Sequence, residues 1–168
     1  MGTGRQALRL VAALLLAVTS AACHRSDDNR IPPFDVNLSF SKDMWDKDGL
    51  ESAAHYERFL LTDKLREPAD FPFPMSAATG FGGLLVGMDA LSNARAFDLA
   101  CPVEARQNVR VYIDVEHMVA RCPECGSEYD VYSGYGNPVS GPAKEDGYNL
   151  RRYRVVDGIG LNYRIIRP

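Results

Sequence analysis

Apolar and polar residues form a repeating punctuated pattern through most of the second half of this chain. Short apolar-rich segments recur at 83–88, 95–100, 108–114, 118–121, 129–132, 150–156 and 161–166, with Gly, Pro, Asn and Asp between them. Many short strands at such close spacing predict an all-β sandwich or small barrel. In the third segment Val109, Val111 and Ile113 alternate with Arg110, Tyr112 and Asp114, the mark of a half-buried antiparallel strand. Asp157-Gly158 predicts a hairpin turn between the last two strands. Upstream, residues 34–40 alternate in the same way and predict another strand. Residues 50–65 place His55, Phe59 and Leu60 at helical spacing and predict a short helix, and Pro68, Pro72 and Pro74 then impose an irregular path. Residues 41–79 therefore read as a short, partly helical insertion or cover over the sheet.

The first 22 residues follow another pattern. Arg5 and Arg9 precede an unbroken apolar run over 10–18, and Ser20, Ala21 and Ala22 lead to Cys23. The run is too short to span a membrane and reads as the core of an export leader. Ser20-Ala-Ala-Cys23 resembles a loose bacterial lipobox, with Cys23 as the lipid-modified residue; a plain secretory signal cut after Ala22 is the alternative. A polar tether over 23–33 follows. Its acidic residues resemble the surface-export signal of Bacteroidetes-type lipoproteins and equally suit a solvated linker. The expected location is the bacterial cell envelope, with the chain anchored through Cys23 on the periplasmic or surface side of a membrane. The expected division is a leader over 1–22, a tether over 23–33, a strand and insertion over 34–79, and a β-domain over 80–168.

Composition adds mostly exclusions. With 24% charged and 46% hydrophobic residues the chain has ordinary globular balance. Its formal charge of −3 and the absence of a basic stripe argue against nucleic acid as a partner. No Ser–His–Asp arrangement, phosphate loop or metalloprotease helix is visible. His117 lies in a turn before Cys122 and reads as a surface residue.

The chemistry lies in two short loops, Cys101-Pro-Val-Glu104 and Cys122-Pro-Glu-Cys125-Gly-Ser-Glu-Tyr-Asp130. Cys-x-x-Cys lets two thiolates point at one centre from a tight turn, and Gly126 helps the chain bend. The segment between the loops is long enough for a strand out and a strand back, so the two tips should meet. Three thiolates with Glu104 make a four-ligand set compatible with zinc or with an iron–sulfur cluster. In an oxidising compartment a disulfide competes for any two of the three cysteines.

From about residue 80 to residue 167 the chain resembles a Rieske domain. That family pairs a Cys-x-His loop with a Cys-x-x-His-Gly-Ser-x-Tyr/Phe loop. Here the second loop is Cys122-Pro-Glu-Cys125-Gly126-Ser127-Glu128-Tyr129, with cysteine at the histidine position. A proline loop ending in Gly141-Pro142-Ala143 follows, then Leu150 and a strand. The resemblance implies a Rieske-like antiparallel β-fold and a [2Fe–2S] cluster, with Cys101 and Cys122 on one iron. The first histidine position falls on Val103, which binds no metal; Glu104 would serve only if the loop shifts. Cys125 takes the second histidine position. The resemblance further implies that Ser127 and Tyr129 donate hydrogen bonds to cluster sulfurs and that the loop with Pro138 and Pro142 covers the site. With thiolate in place of imidazole, the expected potential lies near that of plant-type ferredoxins, about −400 mV.

Two expectations of function follow, from different classes. One is an electron-transfer or redox-sensing lipoprotein with a [2Fe–2S] cluster and a redox protein as partner. The other is a binding or structural lipoprotein without a cluster, closed by a disulfide from Cys122 to Cys101 or Cys125. A zinc-stabilised version of the same site is a third variant. An autonomous oxygenase is not expected, because oxygenases of the family carry a separate catalytic iron domain for which this chain has no room; the expectation leans toward an electron-transfer or accessory protein over an enzyme by itself.

Overall fold

The computed structural model describes Asp27, residues 29–158 and residues 162–168. The expected leader, Cys23 with its expected lipid, and tether residues 24–26 and 28 lie outside the described residues. In chain order the elements are β1 (Val36–Phe40), α1 (Lys42–Lys47), β2 (Tyr56–Leu61), β3 (Arg66–Glu67), β4 (Ala78–Thr79), β5 (Leu84–Met88) and β6 (Ala94–Asp98). There follow β7 (Tyr112–Asp114), β8 (Val119–Arg121), β9 (Glu128–Asp130), β10 (Asn137–Ser140), α2 (Pro142–Asp146), β11 (Arg152–Gly158) and β12 (Asn162–Ile166). The expected all-β class holds.

Eight strands form one antiparallel sheet in the order β3-β2-β5-β6-β11-β12-β1-β4. The sheet curls into a half-barrel. The Leu61 N–H on β2 donates to Thr79 Oγ1 on β4 at 3.1 Å, which draws the far end of the sheet back toward its start. The period-two pattern explains why this sheet is covered on both faces. On β5, Leu84 and Val86 enter the core inside the half-barrel, while Leu85 enters a second core on the outside. Phe59 and Leu60 on β2 divide in the same way, as do Ala96 and Phe97 on β6.

The inner core is aromatic. Phe40 meets Trp45 and Phe59 edge-on at 5.4 and 4.9 Å, and Trp45 stacks on Tyr163 at 3.9 Å. The outer core is closed by a second antiparallel sheet of order β10-β9-β8-β7. The first cysteine loop joins β6 of the large sheet to β7 of the small one, and the second is the β8–β9 turn of the small sheet.

Three expectations need correction. The helix expected over 50–65 is replaced by strand β2, which pairs with β5 from Tyr56↔Gly87 to Phe59↔Leu84. Phe59 and Leu60 serve opposite cores, which a strand allows and a single helical stripe does not. The helix in this region is α1, further upstream, where Ser41 Oγ accepts the Met44 N–H at 3.3 Å and Trp45 is buried. Residues 41–79 are also more than a cover: β2 lies inside the main sheet, and Trp45, Leu50, Phe71 and Phe73 belong to the inner core. Finally, the expected antiparallel pairing of the last two strands holds, but Asp157-Gly158 is not its turn, because both residues are still paired, with Tyr163 and Asn162. No helix among the described residues is long and apolar enough to cross a membrane.

Candidate metal centre

The site begins at the end of β6. There the Asp98 carboxylate, fully buried, accepts the N–H groups of Phe81, Gly82 and Ala100 at 2.9, 2.9 and 2.8 Å and the Tyr153 hydroxyl at 2.7 Å. Four donors satisfy a charge that burial alone would penalise heavily. They also fix the path by which the chain leaves β6 toward Cys101. Nothing in the sequence pattern singles out Asp98; a lone acid at a strand end looks like a solvated one.

The first loop then turns on itself. The Cys101 N–H donates to Val109 O at 3.0 Å, and the Ala105 N–H donates back to Cys101 O at 2.8 Å. Inside the turn, the N–H groups of Val103 and Glu104 both point at the Cys101 sulfur. Ala105 has φ 48°, a left-handed conformation unusual for a residue with a Cβ.

The second loop, the turn between β8 and β9, repeats this construction. The Cys122 N–H donates to Ser127 O at 2.9 Å, and the Gly126 N–H donates to Cys122 O at 3.1 Å. The N–H groups of Glu124 and Cys125 point at the Cys122 sulfur. Gly126 has φ 70°, the counterpart of Ala105. Both loops are thus one Cys-Pro turn: the sulfur of the first residue accepts two backbone N–H groups, and the fifth residue is left-handed. The shared Cys-Pro was legible in sequence. The equivalence of Ala105 with Gly126 was not, because alanine gives no turn signal.

Pairing of the strands brings the two turns together. The sulfurs of Cys101, Cys122 and Cys125 all lie within 4.8 Å of one another, and Cys101 and Cys125 are 3.7 Å apart. All three cysteines are free, Cys101 and Cys122 buried and Cys125 partly exposed. Burial raises the Cys101 thiol and pushes Cys122 up to about 12, against the backbone donors that favour each thiolate. At Cys125 burial acts in the same direction, but the side chain and N–H of Ser127 outweigh it and the thiol is lowered.

The expected supporting residues divide. Ser127 Oγ accepts from the Cys125 thiol at 3.2 Å and from the Ala143 N–H at 3.0 Å. The Tyr129 hydroxyl lies 3.4 Å from the Cys101 sulfur, and its ring is fully buried. Pro142 is exposed at the start of α2; the segment's hold on the site runs through Ala143. Pro138 sits on β10 opposite Tyr129.

Glu104 is not within the sulfur cluster. Its carboxylate accepts from Arg106 at 2.9 Å, and Arg106 also bonds Glu124 at the tip of the other loop. His117 pairs with Asp114 at 2.9 Å on the β7–β8 turn, away from any ligand role.

Three soft thiolates converging on one point can hold zinc or take part in an iron–sulfur cluster. Two thiolates on one tetrahedral ion, each about 2.3 Å from it, stand about 3.8 Å apart. Cys101 and Cys125 have that separation, yet the Rieske resemblance would put them on different irons, with the length of the cluster between them. The arrangement fits one ion, and a two-iron cluster fits only if Cys125 moves away from Cys101. No protein-family model, curated protein or solved structure matches this chain.

Proposed function

We propose that this chain is a metal protein of the bacterial cell envelope in which Cys101, Cys122 and Cys125 hold one tetrahedral ion, zinc, on a Rieske-like β-domain tethered through Cys23. The 3.7 Å separation of Cys101 and Cys125 carries the reading. The four backbone N–H groups aimed at Cys101 and Cys122 support it, since they favour the thiolate form a metal ion requires, against the burial that raises both thiols. Zinc has no redox chemistry, and its contribution here is to lock the two loops together. The protein then acts as an accessory or binding lipoprotein rather than as an enzyme.

A second reading keeps the [2Fe–2S] cluster, with electron transfer or redox sensing as the function and a redox protein as partner. Its support is the placement of Ser127 Oγ and the Tyr129 hydroxyl against two of the sulfurs, where the family resemblance asks for donors.

Metal analysis and a visible spectrum of the detergent-solubilised full chain, purified without oxygen, separate these readings. One zinc per chain and no colour is the expected result. Two irons per chain with visible charge-transfer bands would establish the second reading. Absence of metal together with loss of free thiols would sink both and leave the disulfide-closed form.

A further inference from the structure

We infer that Glu104 is a ligand held in reserve, and that Arg106 keeps its carboxylate off the three sulfurs until a metal ion draws it in. The inference rests on the single-ion reading above. It begins from the equivalence of the two turns. Cys101 corresponds to Cys122, Ala105 to Gly126, and between them Glu104 corresponds to Cys125. Cys125 reaches the shared centre from its place in the second turn, and its own N–H bonds the Cys122 sulfur. Glu104 has the same place in the first turn, and its N–H bonds the Cys101 sulfur. The loop therefore needs no shift to offer a fourth donor. Only the side chain must turn.

What holds that side chain away is visible. Arg106 binds the carboxylate of Glu104 and that of Glu124, each from one turn. The two acids are unlike in burial: Glu104 is 21% exposed and Glu124 46%. Glu104 is thus the covered partner, close to the sulfurs in the chain, and Glu124 the outer one. When Glu104 leaves, Arg106 keeps Glu124. The exchange costs one half-exposed ion pair, a weak interaction by nature, in return for a charged oxygen on a dication that has three thiolates and an open fourth position. Arg106 is a positioning residue in this scheme and Glu104 a ligand.

Zinc affinity and the visible spectrum of the cobalt(II)-loaded full chain test this with four proteins: the parent, Glu104→Gln, Arg106→Gln and the double variant. Glu104→Gln should weaken zinc about tenfold or more and shift the cobalt ligand-field bands as oxygen donation changes. Arg106→Gln should tighten zinc by up to about fivefold, because the competing partner is gone. In the double variant the Arg106 effect should vanish. If Arg106→Gln tightens zinc equally with and without Glu104, Arg106 acts by plain charge repulsion and the inference fails. Unchanged affinity and spectrum in Glu104→Gln overturns it too. Those results leave the three-thiolate site standing; failure of the parent to bind zinc or cobalt overturns the site and the inference together. Far-ultraviolet circular dichroism of each variant confirms that loss of binding is not loss of fold.

Discussion

The turn at Cys101 and the turn at Cys122 share a backbone and differ in what they carry. Each directs two N–H groups at its first sulfur, and each ends in a left-handed residue. The second turn uses glycine where the conformation needs it and puts a thiol at its fourth position. The first uses alanine there and puts a carboxylate at its fourth position. The backbone of a metal turn is therefore held constant while the donor varies. The first turn carries strain at Ala105 that the second avoids, of the kind that persists where the surroundings over-determine it.

The comparison can be broken most forcefully at the sulfurs. Cys101→Ser and Cys122→Ser should each lower zinc affinity by more than about a hundredfold, beyond the range typical of an outer partner. If the turns are equivalent, the two losses should be similar by chelator competition. A loss confined to one of them would show that a single turn holds the metal.

Glu104→Cys converts the first turn into a copy of the second. Four thiolates should then tighten zinc by about tenfold and strengthen the sulfur-to-metal charge-transfer bands of the cobalt form, as a closed site of four cysteines would. No change in those bands would mean that position 104 cannot reach the centre.

A smaller effect distinguishes the outer partners of the turns. Ser127→Ala removes the hydroxyl that accepts from the Cys125 thiol and leaves the buried Ala143 N–H without its acceptor. It should cost about 2 kcal/mol in unfolding free energy as well as metal affinity. Tyr129→Phe removes only the hydroxyl beside Cys101 and should cost about 1 kcal/mol. Equal effects in denaturant unfolding would remove the distinction.

The smallest effect sharpens the backbone comparison. No atom lies within 4 Å of where a Cβ would stand on Gly126. Gly126→Ala therefore meets only the left-handed penalty, about 1 kcal/mol. Ala105→Gly relieves the same penalty but adds chain entropy, so stability should change by less than about 0.5 kcal/mol. A melting temperature that falls as far for Ala105→Gly as for Gly126→Ala would mean the alanine methyl is packed rather than strained.

The strands at 83–88, 95–100, 118–121 and 161–166 were legible because alternation and turn residues are local signals. So were the three cysteines, their common Cys-Pro starts and the supporting Ser127 and Tyr129, which follow Cys125 at fixed spacing. The segment containing Phe59 and Leu60 misleads. Helical and strand spacing overlap over so few residues, and only pairing with β5 and the two opposed cores decide between them. The Asp157-Gly158 turn fails for a similar reason, since pairing of β11 with β12 carries the strand past it.

By itself the sequence determined an all-β chain with two cysteine turns. Local periodicity and the residue types at a tight turn are enough for that. Tertiary structure decided that the three sulfurs converge, that Glu104 matches Cys125, and that Asp98 and Arg106 fix the turns from either side. Those facts depend on β6, β8 and β9 bringing distant residues to one place. Side-chain meeting across strands is a consequence of register, and register is set by the whole sheet and its two cores rather than by any one segment.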